Sequence, residues 1–222
     1  MIYKKYGTYV FLAAGWLCAL YKASLIKISF IVGSKALFFS GASVMGPLLG
    51  SCANIWICSA VLLGRMIIKM VITGSWAGTL FALHVPGWLA AISWVRPSLC
   101  TKVLVPLICM GLFMAHPVGG QVWFYTLYWL IPMGLYSGGY RSIFGQALST
   151  TFIAHAVGSV MHLYTYAMAP GNWVLLMPIV PVERLLFASA MTIIYYAMAW
   201  SMHVIQVAMH RVRQLSLVSH KA

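Results

Sequence analysis

The chain has 222 residues, 63% of them hydrophobic and only 7% charged, with 14 Lys and Arg against a single acid, Glu183, for a formal net charge of +13. An ordinary globular domain carries roughly a quarter of its residues charged, so this chain cannot cover the surface of a soluble fold. A nucleic-acid-binding protein would gather its basic residues on one polar face, whereas here they punctuate apolar runs over 36–64, 70–95, 103–140, 142–182 and 185–210.

A membrane-spanning helix needs about 20 apolar residues, so these runs predict an all-α, polytopic integral membrane bundle of about six transmembrane helices. Residues 1–222 form one transmembrane helical domain, and 1–34 contain a short N-terminal apolar segment. Lys4 and Lys5 precede an uncharged run from Tyr6 to Tyr21 that resembles a signal peptide, but Ala19-Leu20-Tyr21-Lys22 offers no small-x-small cleavage site. This segment is read as a short first span, giving seven, or as an interfacial helix. The firm spans are Val44–Leu63, Ile72–Trp94, Val103–Met114, Val122–Leu135, Ile143–Met168 and Arg184–Met209. Breaks fall at His116-Pro117-Val118-Gly119-Gly120, Gly138-Gly139 and Pro170-Gly171-Asn172, where Pro and Gly end helices. A short apolar piece, Trp173–Val180, lies between prolines.

The distribution of Lys and Arg orients the bundle. With the C-terminus cytoplasmic, eleven of the fourteen basic residues fall inside and only Arg65, Lys69 and Arg184 outside. The expectation is a protein of the cytoplasmic or inner cell membrane with both termini cytoplasmic. The outer ends then hold His116, Gln121, Trp123, Tyr125, His162, Tyr164, Tyr166, Asn172, Trp173, Glu183 and Arg184. The inner ends hold Tyr136, Tyr140, Arg141, His203, Gln206 and His210.

Five cysteines, Cys18, Cys52, Cys58, Cys100 and Cys109, lack CxxC spacing and read as small buried hydrophobes rather than a metal or disulfide framework. Small residues four apart (Gly46/Gly50, Gly134/Gly138, Ala154/Gly158, Ala197/Ser201) suit close helix packing in lipid. Thr151, His155, Ser159, His162 and Tyr166 share one face of the span 143–168, and polar groups at membrane depth face a bundle interior or cavity. His155 reads as a buried hydrogen-bonded residue. A second stripe joins Gln121, Tyr125, Tyr128 and Pro132. Glu183 lies beside Arg184 at the entrance to the last span, either as an ion pair or helix-terminal carboxylate or as a ligand contact.

No paired carboxylates, HExxH, GxSxG or GxxxxGK[ST] occurs, and one acid supports neither a hard-cation site nor a Ser-His-Asp relay. Enzymatic activity, a metal and a cofactor are not expected. The candidate ligand contacts are His116, Gln121, Tyr125, His162, Tyr166, Asn172, Trp173, Glu183 and Arg184, an aromatic-rich set suited to a flat heterocycle.

The segment Ser34-Lys35-Ala36-Leu37-Phe38-Phe39, followed by Gly46-Pro47-Leu48-Leu49-Gly50, is similar to the Gly-Pro-x-x-Gly region found early in many substrate-binding S components of energy-coupling factor (ECF) vitamin transporters. The chain also resembles them in size, span number and lack of a nucleotide site. The resemblance implies a substrate-binding subunit that captures a small vitamin-like metabolite from the outer side. Its uptake partners would be a transmembrane coupling subunit and ATPases, with membrane lipid around it and no nucleic acid. Two other readings are a haem-binding electron-transfer protein, since imidazoles can ligate haem iron axially, and a ligand-free structural or assembly subunit.

Overall fold

The computed structural model describes residues 18, 21–23, 25–30, 38–48, 55–74, 78–139 and 142–219. Most of residues 1–34, Ser34–Leu37 and Gly50 of the Gly-Pro-x-x-Gly region, Cys52, Tyr140 and Arg141 lie outside them. The fold is helical, as the composition predicts, with one addition: β1 (Lys27–Phe30) pairs antiparallel with β2 (Phe38–Ser40).

β2 leads directly into α1 (Gly41–Leu48), which contains Pro47 and is only 8 residues long. α2 (Ile55–Thr73) is a separate helix. The expected span Val44–Leu63 is therefore corrected: its first residues belong to α1, whose length falls well short of a bilayer. Arg65 and Lys69 do not sit in a connection between spans either, because α2 runs through both. A charged residue was read as a boundary, although a long Lys or Arg can ride on an apolar helix and send its head group toward water.

α3 (Gly78–Val95) follows and carries Pro86. A wide π-turn over Cys100–Leu104 then runs without a break into α4 (Val105–Ala115), with Pro106, which has no N–H to give, at the junction where the hydrogen bonding changes from π to α. His116 is extended and ends α4, and α5 (Pro117–Gln121) starts at once. The expected span Val122–Leu135 is a 3-10 helix over Trp123–Trp129 continued by α6 (Leu130–Ser137). A 3-10 helix aligns residues three apart, so Tyr125 and Tyr128 share a side while Gln121, on α5, leaves the predicted stripe.

α7 (Ile143–Thr165) is the central column. Ser142 caps it by accepting from the Gly145 N–H at 3.1 Å. The helix ends at Thr165 rather than Met168, because Tyr166 is extended and the chain stays irregular to Ala169. α8 (Pro170–Leu176) is short, and α9 runs from Ile179 to Ser219, 41 residues or about 61 Å at 1.5 Å per residue. α9 thus begins before Arg184, the expected start, and Glu183 and Arg184 lie inside its first turns.

α7 packs chiefly on α3 and then on α9. Gly158 makes the first contact possible: a Cβ there would sit 3.6 Å from Pro86 Cγ. Gly46 is buried likewise, and a Cβ there would lie 3.9 Å from Leu62 Cδ2, while Gly50 is outside the described residues; Gly134, Gly138, Ala197 and Ser201 are exposed and do not serve packing in the same way. Cys58 and Cys109 are buried as expected, but Cys18 and Cys100 are exposed.

The bundle is polar inside and apolar outside in several places. Lys102, Ser149 and Thr150 have no exposed surface, and Arg184 is 4% exposed. On α9, Val182, Leu185, Leu186, Ile193, Tyr196 and Trp200 face outward at spacings of three or four or their sums, while Arg184, Phe187, Ala188 and Met191 are buried. Among the described residues, two helices are long and apolar enough to cross a membrane: Ile143–Thr165 and the Ile179–Ser201 part of α9. A shorter apolar helix spans Cys100–Ala115.

Candidate functional site

The predicted polar face of α7 meets the 3-10 helix. Tyr125 is 1% exposed, its ring 5.6 Å from that of His155, and its hydroxyl is hydrogen-bonded to Ser159. Phe113 of α4 stacks on Tyr125 at 5.7 Å with 17° between planes. Two indoles flank this stacked pair. Trp129 lies edge-on to Phe113 at 5.4 Å and to Tyr125 at 6.4 Å. Trp173, from α8, lies edge-on to Phe113 at 5.0 Å and to Tyr125 at 5.1 Å. T-shaped contacts set positive ring edges against negative faces and hold such a cluster rigid.

Toward the end of α7, His162 packs 4.4 Å from Tyr166 and 6.3 Å from Trp173. Tyr166 also lines a cleft of about 510 Å³ with His116, Val118, Leu163, Tyr164 and the irregular stretch through Ala169. The extended backbone at Tyr166 is what lets one residue close α7, line the cleft and touch His162 in the cluster. Tyr128 braces the far side, donating from its hydroxyl to the Met177 carbonyl at 2.9 Å across the α8–α9 turn.

Arg184 enters from α9. Its Nη2 donates to Glu183 Oε2 at 3.4 Å, and its guanidinium carbon lies 4.7 Å from the Phe187 ring centre. Both Arg184 and Glu183 act electrostatically on Tyr125, and Arg184 on His155. Phe187, on which Arg184 lies, is buried with Val44, Leu48, Trp94 and Met191, a core separate from the aromatic cluster. Glu183 was expected at a hydrated outer boundary; its side chain is only 14% exposed and is engaged by a buried partner.

Of the nine predicted contacts, Tyr125, His162, Tyr166 and Trp173 converge on this cluster, while Glu183 and Arg184 pair with each other beside Phe187. His116 lines the cleft beside it, accepting the Val118 N–H on Nδ1 at 3.2 Å and packing edge-on to Tyr164 at 5.0 Å. Gln121 is exposed and donates to the Pro117 carbonyl of its own helix at 3.1 Å, away from the cluster. Asn172 is half-buried near the start of α8.

Sequence reasoning missed Phe113 and Trp129 as members, while Ser159 stood on the predicted polar face. Trp129 lies four residues beyond Tyr125, but a Trp in an apolar run suits a membrane interface equally well. His155, expected to be hydrogen-bonded, has a buried Nε2 without a partner among the described residues. Tyr166 Oη and the indole nitrogens of Trp129 and Trp173 are likewise buried without hydrogen-bond partners among the described residues.

Among the described residues no group of three or more His, Cys, Asp and Glu is placed to hold a metal ion. His155 and His162 stand seven residues apart on one helix, about 10.5 Å of rise, so they cannot ligate one haem iron from opposite sides. Compared with protein-family models, with curated proteins and with solved structures, the chain matches none.

Proposed function

We propose that the chain is an integral membrane protein of about six transmembrane helices that captures a small aromatic or heterocyclic metabolite from the outer side for uptake. The observation that carries this reading is the cluster beside the cleft, where Tyr166 Oη, Trp173 Nε1 and His155 Nε2 are buried without hydrogen-bond partners among the described residues. A buried polar group without a partner costs about 1–3 kcal/mol. Several gathered around stacked aromatic rings favour a bound molecule that brings both a ring and hydrogen-bonding atoms. The cleft gives that molecule a route, and Tyr166 belongs to both cleft and cluster.

The apolar outward stripe on α9 and the polar interior support a lipid environment, where exposed apolar surface is favourable and polar groups belong inside. The basic residues gathered toward both ends of the sequence favour cytoplasmic termini in the inner membrane. Transport inward draws its energy from partner subunits, a membrane coupling protein and ATPases, because the sequence has no phosphate-cradling loop. The similarity of residues 34–50 to ECF S components agrees with that arrangement.

The test is binding by the purified full chain in lipid nanodiscs against a panel of vitamins and nucleobases, read by thermal shift and native mass spectrometry. A saturable binder whose affinity falls in Tyr166→Ala and His162→Ala supports the reading. No saturable binder in the panel counts against it.

A further inference from the structure

The orphaned groups are not chemically equivalent, and the difference selects a ligand. Tyr166 Oη can donate or accept, and a neutral imidazole can change tautomer, so either adapts to a partner of either kind. An indole N–H can only donate. Trp129 is 0% exposed and Trp173 is 2% exposed, and neither indole nitrogen has a hydrogen-bond partner among the described residues. Both rings stand edge-on to the same stacked Phe113–Tyr125 pair, so the two donors belong to one cluster.

The charge of the chain points the same way. It carries 14 Lys and Arg against one acid, Glu183, and that acid is already engaged by Arg184. Anionic acceptors are therefore scarce, and a cationic or donor-rich molecule would meet indole donors in the cluster and no free carboxylate.

We infer that the ligand is an acceptor-rich aromatic or heterocyclic acid, a planar ring bearing a carboxylate or carbonyl oxygens, whose acceptors take the indole N–H groups of Trp129 and Trp173. This rests on the small-molecule reading above and adds the polarity of the molecule and two residues that select it. Phe113 and Tyr125 supply the aromatic wall, and the net charge of +13 favours an anion.

Three probes of one ring size separate the possibilities: benzoate (acceptors only, negative), benzamide (neutral, acceptor and donor) and benzylamine (donor only, positive). Each is titrated into the full chain in nanodiscs, with ligand-observed NMR and tryptophan fluorescence as readouts. Benzoate is expected to bind at least about tenfold tighter than benzylamine, with benzamide between them. Trp129→Phe and Trp173→Phe keep the ring contacts and delete the N–H; each should weaken benzoate roughly ten- to a hundredfold and leave benzylamine unchanged.

The ranking of the three probes on the unaltered chain needs no variant, so it decides the matter even if a phenylalanine at either position prevents folding. Benzylamine binding as tightly as benzoate overturns the inferred polarity while leaving a small-molecule site standing. Unchanged benzoate affinity in both folded Phe variants overturns the role of the indoles, whose N–H groups would then point at the faces of Phe113 and Tyr125. If no probe binds and the vitamin and nucleobase panel also fails, the small-molecule reading falls together with this one.

Discussion

Lys102 donates from Nζ to Ser149 Oγ at 3.1 Å, across the contact between the π-turn and α7, and the same ammonium reaches Thr150 Oγ1 at 3.2 Å. Neither acceptor is charged, and all three residues have no exposed surface. Replacing a buried charged group by an apolar one of similar volume is often neutral or stabilising, whereas removing the partners of a buried charge is costly. Lys102→Met is therefore expected to leave the unfolding midpoint unchanged or raised. Ser149→Ala with Thr150→Ala should lower stability by about 1–3 kcal/mol for each lost acceptor. Thermal unfolding of the three purified proteins in one detergent checks this, and a Met variant weaker than the double-alanine variant would contradict it.

Glycine at 119 answers a steric demand. A Cβ there would collide with the Phe113 carbonyl oxygen and press on Leu163 Cδ2 at 3.0 Å, because α5 turns back tightly over the end of α4. Gly119→Ala should cost at least about 1–3 kcal/mol, the range for overpacking. It should also disturb Phe113 and hence the aromatic cluster. Gly111→Ala, where nothing lies within 4 Å of the added carbon, is the matched control and should be neutral or slightly stabilising in its helix. Equal midpoints for the two variants would show that the turn yields freely.

The outward stripe of α9 gives a direct test of the lipid environment. Ile193 is 69% exposed, with Tyr196 and Trp200 further along the same side. In water, Ile193→Lys on an exposed helix face would be nearly neutral. At the centre of a membrane helix it should oppose insertion by about 2.5–3.5 kcal/mol. A glycosylation-based insertion assay on the segment 179–201 distinguishes the two, and unimpaired insertion would place this face outside the bilayer.

Glu183 and Arg184 should behave as a coupled pair. Glu183→Gln removes the only side-chain carboxylate in the chain from a buried guanidinium. The expected loss is about 1–3 kcal/mol, more than the tenths of a kcal/mol typical of an exposed carboxylate near a helix start. With Arg184→Gln added, the double variant should lose less than the sum of the singles, with a coupling energy of about 0.5–3 kcal/mol. Strict additivity measured in a double-mutant cycle would mean that the 3.4 Å contact carries no energy.

Much of the site was legible because helical spacing does not depend on the rest of the fold. Thr151, His155, Ser159, His162 and Tyr166 lie on one face of any helix through them, and Tyr125, Ser159 and His155 do meet there. Trp129 and Phe113 were not legible as members, since an aromatic residue in an apolar run looks the same at a lipid interface and in a core. Gln121 was misplaced because a stripe at α-helical spacing was drawn through a segment that changes from α5 to a 3-10 helix at Val122. The span boundaries at Arg65 failed for a related reason: position in sequence does not say whether a basic side chain ends a helix or extends from its side. Pro47 was the available sign that Val44–Leu63 is not one rod.

The last helix has a mechanical meaning apart from its packing. Glu183 and Arg184 stand near one end of a continuous helix that continues to Ser219, about 52 Å beyond Arg184 at 1.5 Å per residue. Such a rod fixes direction over its whole length. A tilt of one degree about Arg184 carries the opposite end through about 1 Å, set by that length alone. The angle at which the helix leaves Arg184 thus sets where its far tip lies, beyond the positions where the sequence places Arg211 and Arg213.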